Sequence, residues 1–152
     1  MKEIIKDKIY LGSKIDYFNM ENIITQDDWI FVHIGSELFY KFKKNVSEDY
    51  YVIDNHLYLS WEDLPENDNF NIDTLMRIFD FIDSFRDKKL FIHCDYGQSR
   101  SPAVLMAYLS KRTDYLPKAN YKAVVQFNQI YPDYYSQGGI SLFIKREWDN
   151  II

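Results

Sequence analysis

His93-Cys94-Asp95-Tyr96-Gly97-Gln98-Ser99-Arg100-Ser101-Pro102 lies between two apolar runs, Leu90-Phe91-Ile92 before it and Ala103-Val104-Leu105-Met106-Ala107-Tyr108-Leu109 after it. An apolar run, a Gly-containing loop and a helix-like pattern read, in that order, as strand, turn and helix. Such a turn aims several backbone N–H groups and the positive end of a helix at one point, where a phosphate-sized anion fits. The only cysteine of the chain opens the turn and an arginine closes it, with five residues between them.

That spacing has a physical logic of its own. A cysteine attacks as a thiolate, and an ordinary thiol with a pKa of about 8.5 is mostly protonated at neutral pH. Lowering that value by two to three units takes roughly 3–4 kcal/mol of preference for the charged form. A helix N-terminus supplies about 0.3–1 kcal/mol, so loop N–H donors and a cation have to provide the rest. Arg100 is the cation on offer, and its planar fork suits two oxygens of a phosphate. Gly97 allows the tight curl, and Ser101-Pro102 suits the first turn of the helix that follows.

The stretch resembles the signature of the cysteine-dependent protein tyrosine phosphatase superfamily: His-Cys, five residues, Arg, then Ser or Thr. Gly97 and Ser99-Arg100-Ser101 look most like its dual-specificity branch. Tyr10-Leu11-Gly12-Ser13 is also similar to a segment common near the start of dual-specificity phosphatase domains.

The bulk composition sets wider bounds. A chain of 152 residues has the length of one ordinary domain, and 47% hydrophobic with 27% charged residues is a globular composition. The net charge of -5 argues against a nucleic-acid or acidic-membrane surface. A lone cysteine excludes an internal disulfide and suits a reducing compartment. The first residues hold no apolar core of signal-peptide length, and no run approaches a membrane span. A cytoplasmic protein is the expectation.

Read in order, Lys8–Ser13 predicts a first strand ending in a Gly turn, and Met20–Gln26 a short helix. Trp29–Gly35 is a continuous β-rich run, as in a strand buried on both faces of a helix-flanked parallel sheet. Lys41–Asp49, with Lys41, Lys43 and Lys44 among its charges, reads as a surface loop or short helix. Tyr51–Ile53 and His56–Ser60 read as strands, with Leu57, Leu59 and Trp61 on one face. Trp61–Asn69 reads as a loop. Ile72, Leu75, Met76, Phe79, Ile82 and Phe85 mark an amphipathic helix capped by Asn69 or Asn71. Lys88–His93 is the strand feeding the turn, and Val104, Leu105, Tyr108 and Leu109 form the inward face of the helix leaving it. Two helices follow, over Lys118–Ile130 and from Gly138-Gly139 to Trp148. The expected fold is a single α/β domain over residues 1–152, with a mostly parallel sheet of about four to five strands.

The family resemblance implies the rest of the chemistry. Cys94 is then the nucleophile, Arg100 and the turn Asp95-Tyr96-Gly97-Gln98-Ser99 bind the phosphate, and Ser101 donates to the sulfur. His93 bonds to backbone. The general acid of the family is an aspartate on a loop roughly thirty residues before the cysteine. Asp63 stands 31 residues before Cys94, with Glu62 and Asp68 as rivals. The implied activity is hydrolysis of phosphotyrosine and phosphoserine/threonine in a phosphorylated protein, through a phospho-cysteine and without metal or cofactor. A phosphoinositide or RNA 5′-phosphate substrate is the alternative within the enzyme class, and a non-catalytic phosphoprotein-binding module the alternative outside it. Asp95, Tyr96 and Gln98 depart from the basic residues of phosphoinositide-directed relatives. His33, His56 and His93 lack zinc-ligand spacing and read as structural or exposed. Neither a nucleic-acid nor a membrane partner is expected.

Overall fold

The computed structural model describes residues 1–22, 26–43, 46–64 and 70–152. Its strands form where β-branched and aromatic residues run together: β1 (Lys2–Ile5), β2 (Ile9–Ser13), β3 (Trp29–Ile34), β4 (Tyr50–Ile53), β5 (His56–Leu59) and β6 (Lys89–Cys94). They make one six-stranded sheet in the order β1-β2-β6-β3-β5-β4. The four central strands are parallel, and β1 and β4 pair antiparallel at the two edges. The count exceeds the four to five expected because β1 escaped the sequence pattern. It is four residues long, and its Lys2-Glu3 half is exposed.

Among the described residues six α-helices cover the sheet: α1 (Lys14–Met20), α2 (Ser36–Phe42), α3 (Ile72–Asp83), α4 (Arg100–Lys111), α5 (Asn120–Ile130) and α6 (Gly139–Arg146). Strand alternation sorts the core into two parts. Ile30, Val32, Ile34, Leu57, Leu59, Leu90, Ile92 and Cys94 face α3 to α6. Phe31, Tyr58 and Phe91 face Tyr17 and Met20 of α1 and Leu38 and Phe39 of α2. No helix among the described residues is long and apolar enough to cross a membrane.

Several boundaries differ from the sequence reading. Gly12 makes no turn; it lies in β2, and the chain passes straight into α1 instead of waiting for Met20. A capping box starts that helix, with Ser13 accepting from the Asp16 N–H and Asp16 from the Ser13 N–H. Residues 23–25, in the helix expected at Met20–Gln26, lie outside the described residues, as do Lys44 and Asn69. The helix α2 begins before the charged stretch read as loop, since Leu38 and Phe39 bury against the sheet. Asn71 caps α3, accepting from the Thr74 N–H at 2.8 Å. The helix α4 has no outward face: every residue from Arg100 to Ser110 is buried, because the sheet lies on one side and α5 and α6 on the other.

Candidate active site

The strand β6 ends at Cys94, and the next five residues curl into α4. Two constraints make glycine necessary at Gly97. Its φ is +72°, and a Cβ there would sit 2.8 Å from the Gly12 carbonyl oxygen. The rest of the fold holds the turn by its carbonyls. Asp95 O accepts from the Lys14 N–H at 3.2 Å, Gly97 O from the Tyr131 hydroxyl at 2.7 Å, and Gln98 O from the Tyr135 N–H at 2.7 Å. Burial first, then Asp133, Cys94 and Asp16, push the Tyr131 hydroxyl up to about 12, so it stays a donor. The N–H groups of Tyr96, Gly97, Gln98 and Ser99 have no protein acceptor among the described residues.

Cys94 is buried at the end of its strand, and its Sγ accepts a hydrogen bond from Ser101 Oγ at 3.2 Å. Arg100 is buried too. Its Nη1 donates to the Trp61 carbonyl at 2.7 Å and its Nη2 to Asp95 Oδ2 at 3.1 Å. Its Nε is buried with no partner among the described residues. Two contacts therefore fix the guanidinium plane and leave its Nε–H among the unused donors.

The loop after β5 brings a carboxylate to the same place. Asp63 Oδ1 accepts from Ser99 Oγ at 3.1 Å. That loop is staked by one side chain, Asp49, which accepts from Trp61 Nε1 and Asn71 Nδ2 at 3.1 Å each and from Thr74 Oγ1 at 2.7 Å. Asp63, Cys94, Tyr96, Gln98, Ser99, Arg100 and Tyr135 line one cavity of about 90 Å³.

The structure thus brings Asp63, Cys94, Ser101 and Arg100 together, although Asp63 and Cys94 lie 31 residues apart. Glu62 does not line the cavity, and Asp68 lies outside the described residues. Asp95 is placed differently from the other turn residues. Its carboxylate is paired with Arg100 beside Gly35 and is not part of the cavity wall. Gly97 contributes backbone, while Tyr96 and Gln98 stand at the exposed rim. The segment 131–139, whose role at the site has no signal in the sequence, closes one side. Besides Tyr131 and Tyr135, Gly138 packs so tightly that a Cβ would come 2.5 Å from Ser99 Oγ. Among the described residues no group of three or more His, Cys, Asp or Glu side chains is placed to hold a metal ion.

No protein-family model matches the chain. Dual specificity protein phosphatase 5 of Rattus norvegicus is 32% identical over 80 residues, 49% of this chain and 20% of that protein. The Homo sapiens protein of that name is 36% identical over 76 residues, 47% of this chain and 19% of that protein. The aligned part is thus only about a fifth of the length of these curated relatives. Among solved structures, DUSP15 superposes with a TM-score of 0.67 at 16% identity, covering 97% of this chain and 86% of that one. PTPMT1 in complex with PI(5)P gives a TM-score of 0.64 at 17% identity, covering 98% and 94%.

Proposed function

We propose that the chain is a cysteine-dependent phosphatase of the dual-specificity-like branch, a reading supported by its similarity to dual specificity protein phosphatase 5 and by its fold, and that it hydrolyses phosphate monoesters on proteins through Cys94. One observation carries this reading: a small cavity where a buried sulfur, an arginine with an unpartnered Nε and a carboxylate all converge. A catalytically idle cysteine needs none of these neighbours.

The Cys94 thiolate attacks phosphorus in line with the departing oxygen, forming the S–P bond as the P–O bond breaks. Arg100 and the free N–H groups of the turn hold the three equatorial oxygens as charge spreads over them. Asp63 gives its proton to the leaving alkoxide or phenoxide. It then takes one from water, whose oxygen displaces sulfur and releases inorganic phosphate. Ser101 steadies the departing thiolate through the hydrogen bond seen at 3.2 Å. Each proton and each charge is handled by a side chain or backbone N–H group at the cavity.

The exposed rim of Tyr96, Gln98 and Tyr135 supports acceptance of phosphotyrosine and of the shorter phosphoserine and phosphothreonine. Purified protein assayed with an aryl phosphate and with matched phosphotyrosine, phosphothreonine and phosphoinositide substrates tests the reading. Turnover of the aryl phosphate and of phosphopeptides is expected, and Cys94→Ser lowers it by at least roughly 10⁴-fold while phosphopeptide binding persists. Binding without turnover by the unmutated chain would make it a phosphoprotein-binding module. Turnover confined to the phosphoinositide would reassign the substrate class.

A further inference from the structure

A line of three histidines crosses the sheet on the face away from α4. His93 of β6, His33 of β3 and His56 of β5 come from neighbouring parallel strands, His33 standing opposite His93 in register. His33 Nδ1 lies 2.6 Å from His93 Nε2, and His33 Nε2 lies 2.8 Å from His56 Nδ1. At the near end His93 Nδ1 is 3.3 Å from the carbonyl oxygen of Cys94. At the far end half-buried His56 lines an open cavity with Asp27, Asp54, Asn55 and Lys88.

This line has only one consistent polarity. A carbonyl accepts and never donates, so His93 carries its proton on Nδ1, and its Nε2 is bare while the ring is neutral. His33 must then donate from Nδ1 and accept at Nε2, and His56 must donate from Nδ1. All three rings take the same tautomer, and each fixes the next. Reversing one link sets two lone pairs, or two N–H groups, against each other at under 3 Å.

The surroundings keep the inner rings neutral. Burial holds His33 well below the usual imidazole range, helped by His93 and His56. Burial likewise brings His93 down to about 4; Cys94 O and Asp95 oppose this, and Lys14 and Arg100 reinforce it. His56 is lowered by burial against the pull of Asp54. From α1, Tyr17 stacks on His93 and meets His33 edge-on, with Glu21 near it; from β5, Tyr58 stacks on His33.

We propose that His33 and His56 are positioning residues for the reaction, a one-way chain of imidazoles that locks His93 as an Nδ1–H donor to the Cys94 carbonyl. That carbonyl shares a rigid plane with the Asp95 N–H, so gripping one end orients the other at the start of the anion-binding turn. The lock thereby reaches the nucleophile without touching substrate. The inference rests on the reading of Cys94 as nucleophile, and its tests separate the two.

Long-range proton–nitrogen NMR spectra of the ¹⁵N-labelled full chain at pH 7.5 read the tautomers directly. Three neutral rings protonated on Nδ1 are expected, and an Nε2–H tautomer at His33 or His93 overturns the chain. This outcome is independent of whether the protein hydrolyses anything. The rate of Cys94 alkylation by iodoacetate against pH reads the effect on the sulfur. His56→Leu should move the midpoint up by about half to one pH unit, the size of one lost hydrogen bond. His56→Asn, whose amide nitrogen takes the place of Nδ1, should restore it. Equal midpoints for His56→Leu and His56→Asn would reduce His56 to packing alone and sink the proposal.

Discussion

The two faces of the sheet are packed with different materials. Toward α3–α6 the strands present Ile30, Val32, Leu57, Leu59, Leu90 and Ile92, and Cys94 continues that row. Toward α1 and α2 they present Trp29, Phe31, Tyr58 and Phe91, with His33, His56 and His93 among them. The proposed nucleophile, Cys94, therefore projects from the aliphatic face while its peptide carbonyl meets His93 on the aromatic one. Aliphatic packing is non-directional and supplies bulk stability. Stacked rings with ring nitrogens add fixed direction, which a catalytic turn needs in its backbone. On the proposed reading, one face carries the reacting groups and the other holds their orientation.

The sharpest way to break this division is at Asp63, on the reacting side. Asp63→Ala should cut turnover by about 10²- to 10⁴-fold, most for alkyl phosphates with poor leaving groups, and leave the melting temperature within a degree or two. A loss equal for good and poor leaving groups would move the acid role elsewhere. Phe31→Ala, fully buried on the aromatic face, should show the reverse emphasis. Chemical denaturation should report about 3–5 kcal/mol of lost stability, and turnover under folding conditions should fall only a few-fold.

Acid titration sharpens the contrast further. Folded-state values of His33, His56 and His93 lie below the ordinary 6.5, so the unfolded chain binds more protons as pH falls. Their contribution is fully present above about pH 6.5 and is lost as pH falls toward the His93 value of about 4. Denaturation at a series of pH values should lose on the order of 3 kcal/mol over that window. In His33→Phe the slope should be shallower. Smallest is Ser101→Ala, which removes one hydrogen bond to sulfur: about tenfold in kcat, through slower breakdown of the phospho-cysteine, and accumulation of that species in a rapid-quench experiment.

Local chemistry made much of this legible in the sequence. The strand–turn–helix around Cys94 and Arg100, the Asn71 cap and the strand Trp29–Ile34 each rest on neighbours within a few residues. The parts that escaped depend on long-range register. Nothing near His33 or His56 announces a partner; His33 meets His93, and His56 meets His33, only because their parallel strands lie side by side. Tyr131 bonds to Gly97 across 34 positions of sequence. The burial of α4 on every side could not be read from its own moderate apolar pattern, because α5 and α6 cover its second face. Asp95 shows the limit within a motif, since its place in the turn gives no sign that its carboxylate turns onto Arg100.

The Asp49 stake has a practical consequence. Trp61 on one side of the acid-bearing loop, and Asn71 with Thr74 on the other, are moored to the same carboxylate. Asp63, carried next to Trp61, should therefore keep its place at the cavity when the surface around it is altered, so long as Asp49 is intact.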